Sequence, residues 1–328
     1  MKKIILGAIG PLAENSRLVD VPALAPAAGE VLVDIDMASV NPADLLHSLG
    51  WYAYPAVEGA DLGIEGTGHV STVGAGVDPA LVGKRVIVLP TGEQGTWAEQ
   101  LVVSERDVVI VPEGDPQHLA QLAVNPMTAY AVLGDYAELK AGDWIGLTLA
   151  NSAVGRYVIQ LAKRAGVRTL SIVRSEEAAS RVLALGGDVA LVHGDDLDAR
   201  IAQALGGVEL QLVIDGEGGQ TVSTLAAALR HGGTVVAFSS ITAEPQQINF
   251  GDLLFRDIQL RGFYTVNWIR SVSRERLEQV YTELAGLIAS GELRAEVEKV
   301  YPLQDFKAAF EHTGRPGRGG KILLDISA

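Results

Sequence analysis

From His118 to Phe263 the sequence alternates between short apolar runs and stretches of helical period, and no other feature restricts the possible folds as tightly. The apolar runs are "DWIGLTLA" (Asp143–Ala150), Thr169–Val173, Val189–His193, Leu210–Asp215, Thr234–Ser239 and Ile258–Phe263. Between them, "GRYVIQLAKRAGV" places Val158, Leu161 and Ala162 on one helical face and turns Lys163 and Arg164 outward. Six buried strands separated by helices predict an α/β fold with a doubly wound parallel sheet. "HLAQLAVNPMTAYAVLGDYA" ahead of it is helical in period, with a break expected at Pro126.

The rest of the chain has another character. "EVLVDIDMASV" (Glu30–Val40), "GTGHVSTVGAGV" (Gly66–Val77) and "KRVIVLP" (Lys84–Pro90) are strands of a β-rich module punctuated by turns. After the parallel-sheet region, "RERLEQVYTELAGLIASGEL" is an amphipathic helix ending at Gly291. "TGRPGRGG" (Thr313–Gly320) is a loop, and "GGKILLDIS" is a strand expected to return to the first module. The chain has 328 residues, which suits two domains. The expected division is 1–118 with 266–328, and 119–265.

"LANSAVGRYVIQLAKRAGVRTLSIVRSEE" (Leu149–Glu177) carries the strongest chemical signal. A strand, a tight turn and a helix aim backbone N–H groups and a helix N-terminus at a pyrophosphate. Only one glycine, Gly155, lies in the turn, but Ala150, Ser152 and Ala153 are also small. Small residues serve wherever the turn does not demand a positive φ. At the end of the next strand, an acid would bond a ribose 2′-hydroxyl. Arg174 stands there instead, with Ser175 beside it. A guanidinium suits a 2′-phosphate, so the expected cofactor is NADP(H). Glu176 and Glu177 must point away for that to hold.

Composition removes several alternatives. The chain has no cysteine, which excludes disulfides, thiolate nucleophiles and thiolate zinc sites. The net charge of −14 and the pI near 4.9 disfavour nucleic-acid binding. "MKKIILGAIGPL" is better suited to a first strand than to a signal peptide, and no apolar run is long enough to span a bilayer. The expected location is cytoplasmic, or the mitochondrial matrix in a eukaryote.

Taken together, "VNPAD" (Val40–Asp44), "GIEGTGHV" (Gly63–Val70), "GTWAE" (Gly95–Glu99), "NPMTAY" (Asn125–Tyr130), "ANSAVG" and "GKILL" resemble the medium-chain dehydrogenase/reductase superfamily over nearly the whole chain. The resemblance implies a GroES-like β-rich catalytic domain and a Rossmann domain. The zinc alcohol dehydrogenases of that superfamily carry a Cys near "VNPAD" and a Gly-His-Glu near "GIE". Here Ile64 stands where the His would be, so no metal is expected, and His47 and His69 are expected to pack or to lie at the surface. Among zinc-free members the chain is most similar to the mitochondrial-type trans-2-enoyl thioester reductases, through "GTWAE", "NPMTAY", "VRSEE" and "LLFRDIQLRGFYTVNW" (Leu253–Trp268). Zinc-free quinone reductases share the frame.

That resemblance implies a catalytic tyrosine at Tyr52, in "LGWYAYP", with Tyr54 as its rival. Hydride addition to the β-carbon of an enoyl thioester leaves the α-carbon in need of a proton. A phenol, with an ordinary pKa near 10, stays protonated at neutral pH and can supply it. The implied cofactor contacts are Asn125 and Thr128; Asn151, Ser152, Ala153 and Val154; Arg174 and Ser175; Phe238, Ser239 and Ser240; Phe263, Tyr264 and Thr265; and Lys321. Trp51, Tyr54 and Trp268 are assigned to the substrate pocket, although Tyr264 and Trp268 suit a dimer interface equally well. Arg156 and "AFSS" (Ala237–Ser240) depart from the usual residues of relatives.

The expected activity is NADPH-dependent reduction of the C2=C3 bond of a 2-enoyl thioester carried by CoA or acyl carrier protein. A quinone or enone reductase is the alternative, and a non-catalytic NADPH-binding protein the remaining one. Arg256, Arg261, Arg270, Arg274 and Arg276 form either a carrier-protein patch or an ordinary solvated face. "IQLRGFYTV" is an apolar edge strand through which a homodimer is expected to form.

Overall fold

The computed structural model describes residues 1–92, 95–294, 296–315 and 317–328. The chain divides into two compact units: Met1–Val124 with Ile269–Ala328, and Asn125–Trp268. Its strands are β1 (Lys2–Leu6), β2 (Ser16–Asp20), β3 (Glu30–Val40), β4 (Gly66–Val73), β5 (Arg85–Val88), β6 (Gln100–Ser104), β7 (Val108–Ile110), β8 (Trp144–Leu147), β9 (Arg168–Val173), β10 (Val189–Val192), β11 (Leu210–Asp215), β12 (Leu229–Ala237), β13 (Gln259–Gly262), β14 (Val297–Pro302) and β15 (Lys321–Asp325). The helices are α1 (Leu12–Asn15), α2 (Pro42–Ser48), α3 (Pro116–Leu119), α4 (Asn125–Gly134), α5 (Ala153–Arg164), α6 (Glu176–Ala184), α7 (Leu197–Leu205), α8 (Gln220–Ala227), α9 (Phe250–Phe255), α10 (Thr265–Ser271), α11 (Arg274–Ala289) and α12 (Phe306–Thr313).

In the first unit, a largely antiparallel sheet runs in the order β14-β15-β3-β4-β5-β7, and β6 also pairs with β3. The long strand β3 can serve several partners because its residues are buried along most of its length, from Val31 to Val40. The C-terminal strand β15 returns here as expected, antiparallel to β3 and parallel to β14. A core of Val31, Val33, Ile35, Val86, Val88, Trp97, Phe310 and Leu324 fills the unit.

In the second unit, six parallel strands run in the order β10-β9-β8-β11-β12-β13. The order reverses between β8 and β11. In such sheets ligands bind outside the carboxyl ends of the strands at that switch point. The inner strands β8 and β11 are largely apolar and buried, as strands covered on both faces are. Strand β12 begins at Leu229, five residues before the expected Thr234, because the turn-like "LRHGG" is carried in the strand. The helical segment ahead of the sheet is interrupted before Asn125, and Pro126 falls inside the first turn of α4, where a missing N–H costs nothing. No helix among the described residues is long and apolar enough to cross a membrane.

Candidate functional site

The turn from β8 into α5 is built for a ligand at the helix N-terminus. Ser152 caps α5, its hydroxyl accepting the Gly155 amide at 3.1 Å. A Cβ on Gly155 would lie 2.5 Å from the Ala150 carbonyl oxygen, so only glycine lets the helix approach the turn this closely. The turn does demand a positive φ, and a leucine takes it: Leu149 has φ +51°. A left-handed conformation costs a non-glycine residue about 1–2 kcal/mol. Arg156 is buried, with Nε donating to the Asn151 carbonyl at 3.1 Å. It thus braces the turn from below.

Asp215, at the end of β11, closes the floor of the switch-point crevice. The fully buried carboxylate accepts the Thr148 hydroxyl at 2.5 Å, the amides of Glu217 and Gly218 at 3.1 Å each, and Gln246 Nε2 at 2.8 Å. Thr148 in turn accepts the Gly216 amide at 3.0 Å. Neither residue stands out from sequence reasoning, although an acid ending a buried strand before "GEGG" is the kind of signal that marks such an anchor. Phe238 continues the rim, its amide donating to the Asp215 carbonyl at 2.9 Å. Ser239 and Ser240 are exposed, and the Ser240 hydroxyl donates to the Glu244 carbonyl at 3.0 Å.

Arg174 follows β9 directly and is exposed. Ser175 caps α6, accepting the Ala178 amide at 3.2 Å. Glu177 is drawn down the helix by Arg181 at 2.6 Å, which removes one carboxylate from beside Arg174. His193 sits next to this strand end, its amide on the Val173 carbonyl and its ring 3.1 Å from a Glu217 carboxylate oxygen. Asn125 and Thr128 are buried on α4, and the Thr128 and Thr265 hydroxyls are 3.0 Å apart. Phe263 is buried with its amide on the Ala237 carbonyl, and Tyr264 is half-buried. Trp268 is also buried, its indole N–H donating to Asp135 at 2.6 Å. The helix start, the Gly155 approach and the crevice together fit a dinucleotide.

In the β-rich unit, Tyr52 and Tyr54 are half-buried and meet edge to face, with ring centroids 5.3 Å apart, whereas Trp51 is 73% exposed. A cleft of about 470 Å³ beside Tyr54 is lined by Asp44, His47, Tyr54, Pro55, Val57 and residues 59–64. Behind it lies a buried polar cluster. Glu65 accepts the Ser39 hydroxyl at 2.5 Å, Asn41 Nδ2 at 2.9 Å and the Val124 amide at 2.8 Å. Lys321 Nζ donates to Asn41 Oδ1 at 2.5 Å. Lys321 is therefore placed among the core acids of this unit, 5% exposed, and not on the parallel-sheet unit. Burial lowers the pKa of its ammonium, and Glu65 and Asp44 oppose that shift. Burial raises the Glu65 carboxyl, against the pull of Lys321 and of its hydrogen bonds from Ser39 and Asn41.

This arrangement does not fit zinc. At the position expected of a histidine ligand, Ile64 offers no donor, and Glu65 already accepts three hydrogen bonds and feels the charge of the buried Lys321 ammonium. Nor does any group of three His, Cys, Asp or Glu side chains suited to a metal occur among the described residues.

Burial pushes the Asp44 carboxyl up to about 7, partly offset by the Asn41 amide on its Oδ2 and by Lys321, and reinforced by Glu65. A carboxyl raised in the fold contributes stability that is complete below its unfolded pKa near 4 and is lost as pH rises through about 7. Asp44→Asn is expected to melt no higher than the wild type at pH 4 and higher at pH 8, by at most ~4 kcal/mol. Thermal melts of both proteins across that range test it, and equal slopes would mean that Asp44 is charged in the fold.

Several of the arginines on Arg256–Arg276 have internal partners. Arg256 bonds Asp252 and the Ala227 and Leu229 carbonyls, and Arg261 lies 4.7 Å over the Tyr136 ring. Arg270 donates to the Thr91 carbonyl, and Arg274 to Glu278 and the Arg106 and Val108 carbonyls.

Comparison with known proteins agrees with these features. The sequence model of the alcohol dehydrogenase GroES-like domain matches residues 27–113, and that of the zinc-binding dehydrogenase family matches residues 153–285. The chain is 36% identical over 296 residues to a mitochondrial enoyl-acyl-carrier-protein reductase of Caenorhabditis elegans, covering 87% of this chain and 83% of that one. It is 32% identical over 305 residues to the protein of the same name from Dictyostelium discoideum, covering 90% and 86%. A solved quinone oxidoreductase of Pseudomonas syringae superposes with a TM-score of 0.88 at 26% identity, over 99% of each chain.

Proposed function

The chain belongs to the medium-chain dehydrogenase/reductase superfamily and is an NAD(P)-dependent oxidoreductase, and we propose that it reduces the C2=C3 bond of 2-enoyl thioesters with NADPH. The observation that carries this reading is a site with a phenol, Tyr52, and, among the described residues, no ligand set for a Lewis acid, in a chain similar along most of its length to enoyl reductases.

When bound, the nicotinamide supplies the hydride. The chain's own residues do the rest. The α5 N-terminus, with Asn151, Ser152, Ala153 and Val154, faces the pyrophosphate. Arg174 pairs the 2′-phosphate, with Ser175 beside it. Asn125, Thr128, Phe238, Ser239, Ser240, Phe263, Tyr264 and Thr265 complete the seat. Tyr52 delivers the proton to the α-carbon. Quinone or enone reduction remains the second reading, favoured by the likeness to the P. syringae quinone oxidoreductase.

The test is NADPH consumption with crotonyl-CoA, compared with a benzoquinone and with NADH. Crotonyl-CoA turnover at least tenfold faster than quinone turnover is expected. Arg174→Ala is expected to raise KM for NADPH about tenfold or more, a charge-assisted pair being worth ~1.5–3 kcal/mol, and to leave NADH turnover unchanged. An unchanged NADPH KM would remove the 2′-phosphate role.

We also propose a homodimer formed through β13. That strand ends the parallel sheet and is exposed at all four residues. Phe250, Leu254 and Phe255 on the neighbouring α9 are 71%, 60% and 73% exposed. An unpaired edge flanked by that much apolar surface is a pairing surface. Sedimentation is expected to give twice the chain mass and Phe255→Asp to shift it toward the monomer; a monomeric wild type would end the idea.

A further inference from the structure

Resting on the assignment of Tyr52 as proton donor, we infer that Tyr54 and His47 are positioning residues that hold the Tyr52 ring in its working orientation. Tyr52 lies in a stretch without helix or strand that follows α2, and such a stretch does not fix a side chain by its backbone alone. Here it is fastened at its base. His47, in the last turn of α2, has Nε2 3.2 Å from the Pro55 carbonyl. A carbonyl can only accept, so that nitrogen carries the proton. The amides of Gly50 and Trp51 turn back onto the His47 and Leu46 carbonyls, both at 2.9 Å. Residues 48–54 thereby become a closed loop with Tyr52 inside it.

The ring is then fixed by a stack. Tyr54 meets Tyr52 at 89°, the edge-to-face geometry that aromatic quadrupoles favour. Tyr54 is itself held from two further directions. The His47 ring lies 4.5 Å away, centroid to centroid. Gly92 lines the same cleft beside it: a Cβ added there would come to 3.8 Å from Tyr54 Cδ1 and Cε1, and its φ of +98° is one that side-chain-bearing residues rarely adopt. One imidazole thus clasps the loop through Nε2 and packs against the Tyr54 ring at a tilt of 48°. Trp51 stands outside the stack.

A misplacement of about 1 Å at a reacting group can cost up to a hundredfold in rate. The test assays the full chain with NADPH and crotonyl-CoA, as Tyr52→Phe, Tyr54→Phe and Tyr54→Leu. Tyr52→Phe is expected to lose about a hundredfold in kcat. Tyr54→Phe keeps the ring and is expected to lose clearly less kcat than Tyr54→Leu. Tyr54→Leu, which removes the edge, is expected to lose about tenfold in kcat, with KM for NADPH unchanged and a larger solvent isotope effect. Tyr54→Met fills more of the same volume and replaces the leucine variant if that one fails to fold. A Tyr54→Leu or Tyr54→Met enzyme at wild-type kcat overturns the inference. So does a Tyr54→Phe enzyme as slow as Tyr54→Leu, because the hydroxyl would then be acting in its own right. Full activity in Tyr52→Phe would overturn the donor assignment instead, an outcome distinct from a failed brace.

Discussion

Lys321→Met is expected to destabilise the β-rich unit by about 3–5 kcal/mol and to lower its melting midpoint by about 10 °C. The reason is the state in which Glu65 is left. Its carboxylate is fully buried and keeps three donors, from Ser39, Asn41 and Val124, but loses the ammonium that balances its charge. Asn41 also loses the donor on its Oδ1. Removing one member of a buried pair costs more than replacing both, because the survivor remains charged in a medium that cannot solvate it. Adding Glu65→Gln to the lysine variant is therefore expected to recover part of the loss, and the double-mutant cycle reads the coupling directly. A Lys321→Met protein that melts with the wild type would show that the ammonium compensates nothing. Titration of the same variants with NADPH separates a second role: a direct cofactor contact would weaken binding in proportion to the lost bond, beyond what unfolding explains.

The contrast between Lys321 and the β8–α5 turn explains what was legible in the sequence. The turn is local. Strand, cap, glycine and helix lie within about a dozen residues, and each is of a type that the geometry requires: Ser152 as cap, Gly155 at the close approach, and Ser175 as cap of the next helix after Arg174. The alternation that predicts six parallel strands is equally local, and the six-stranded sheet follows it. Lys321 and Asn41 are 280 positions apart, and Thr148 and Asp215 are 67 apart. Nothing near either residue signals its partner, so a lone lysine suggests a surface or a cofactor and a strand-ending acid passes unnoticed. Leu149 fails for another reason. Its positive φ is imposed by the turn against the residue's own preference, which a glycine-seeking motif cannot anticipate. Strand β14 gives no signal because "VEKVYP" alternates too weakly to stand out, and its partner β15 supplies the pairing. The arginines of the 256–276 region leave a patch and a solvated face open in the sequence because carbonyl acceptors such as those of Thr91, Arg106 and Val108 are invisible in a residue string.

Gly155→Val carries the other large effect. The introduced Cβ would stand 2.5 Å from the Ala150 carbonyl oxygen and 2.7 Å from the Ala150 C and Cα atoms. All three are backbone, so no rotamer change relieves the clash, and α5 must move away from the turn. Overpacking of this kind costs about 3 kcal/mol. The shift also withdraws the Ser152 cap from its bond to residue 155 and turns the helix N-terminus away from the crevice floor held by Thr148 and Asp215. NADPH binding is then expected to weaken by about a hundredfold or more, since both the anion seat and its orientation depend on that approach. Gly286→Ala supplies the control. It lies within α11, a Cβ there meets nothing within 4 Å, and the change is expected to stabilise by about 0.5–1 kcal/mol. Fluorescence titration with NADPH, beside melts of both variants, gives the answer. A Gly155→Val protein that binds NADPH as tightly as Gly286→Ala would mean that the dinucleotide does not sit at this turn, and the proposed cofactor site would have to be sought elsewhere on the parallel sheet.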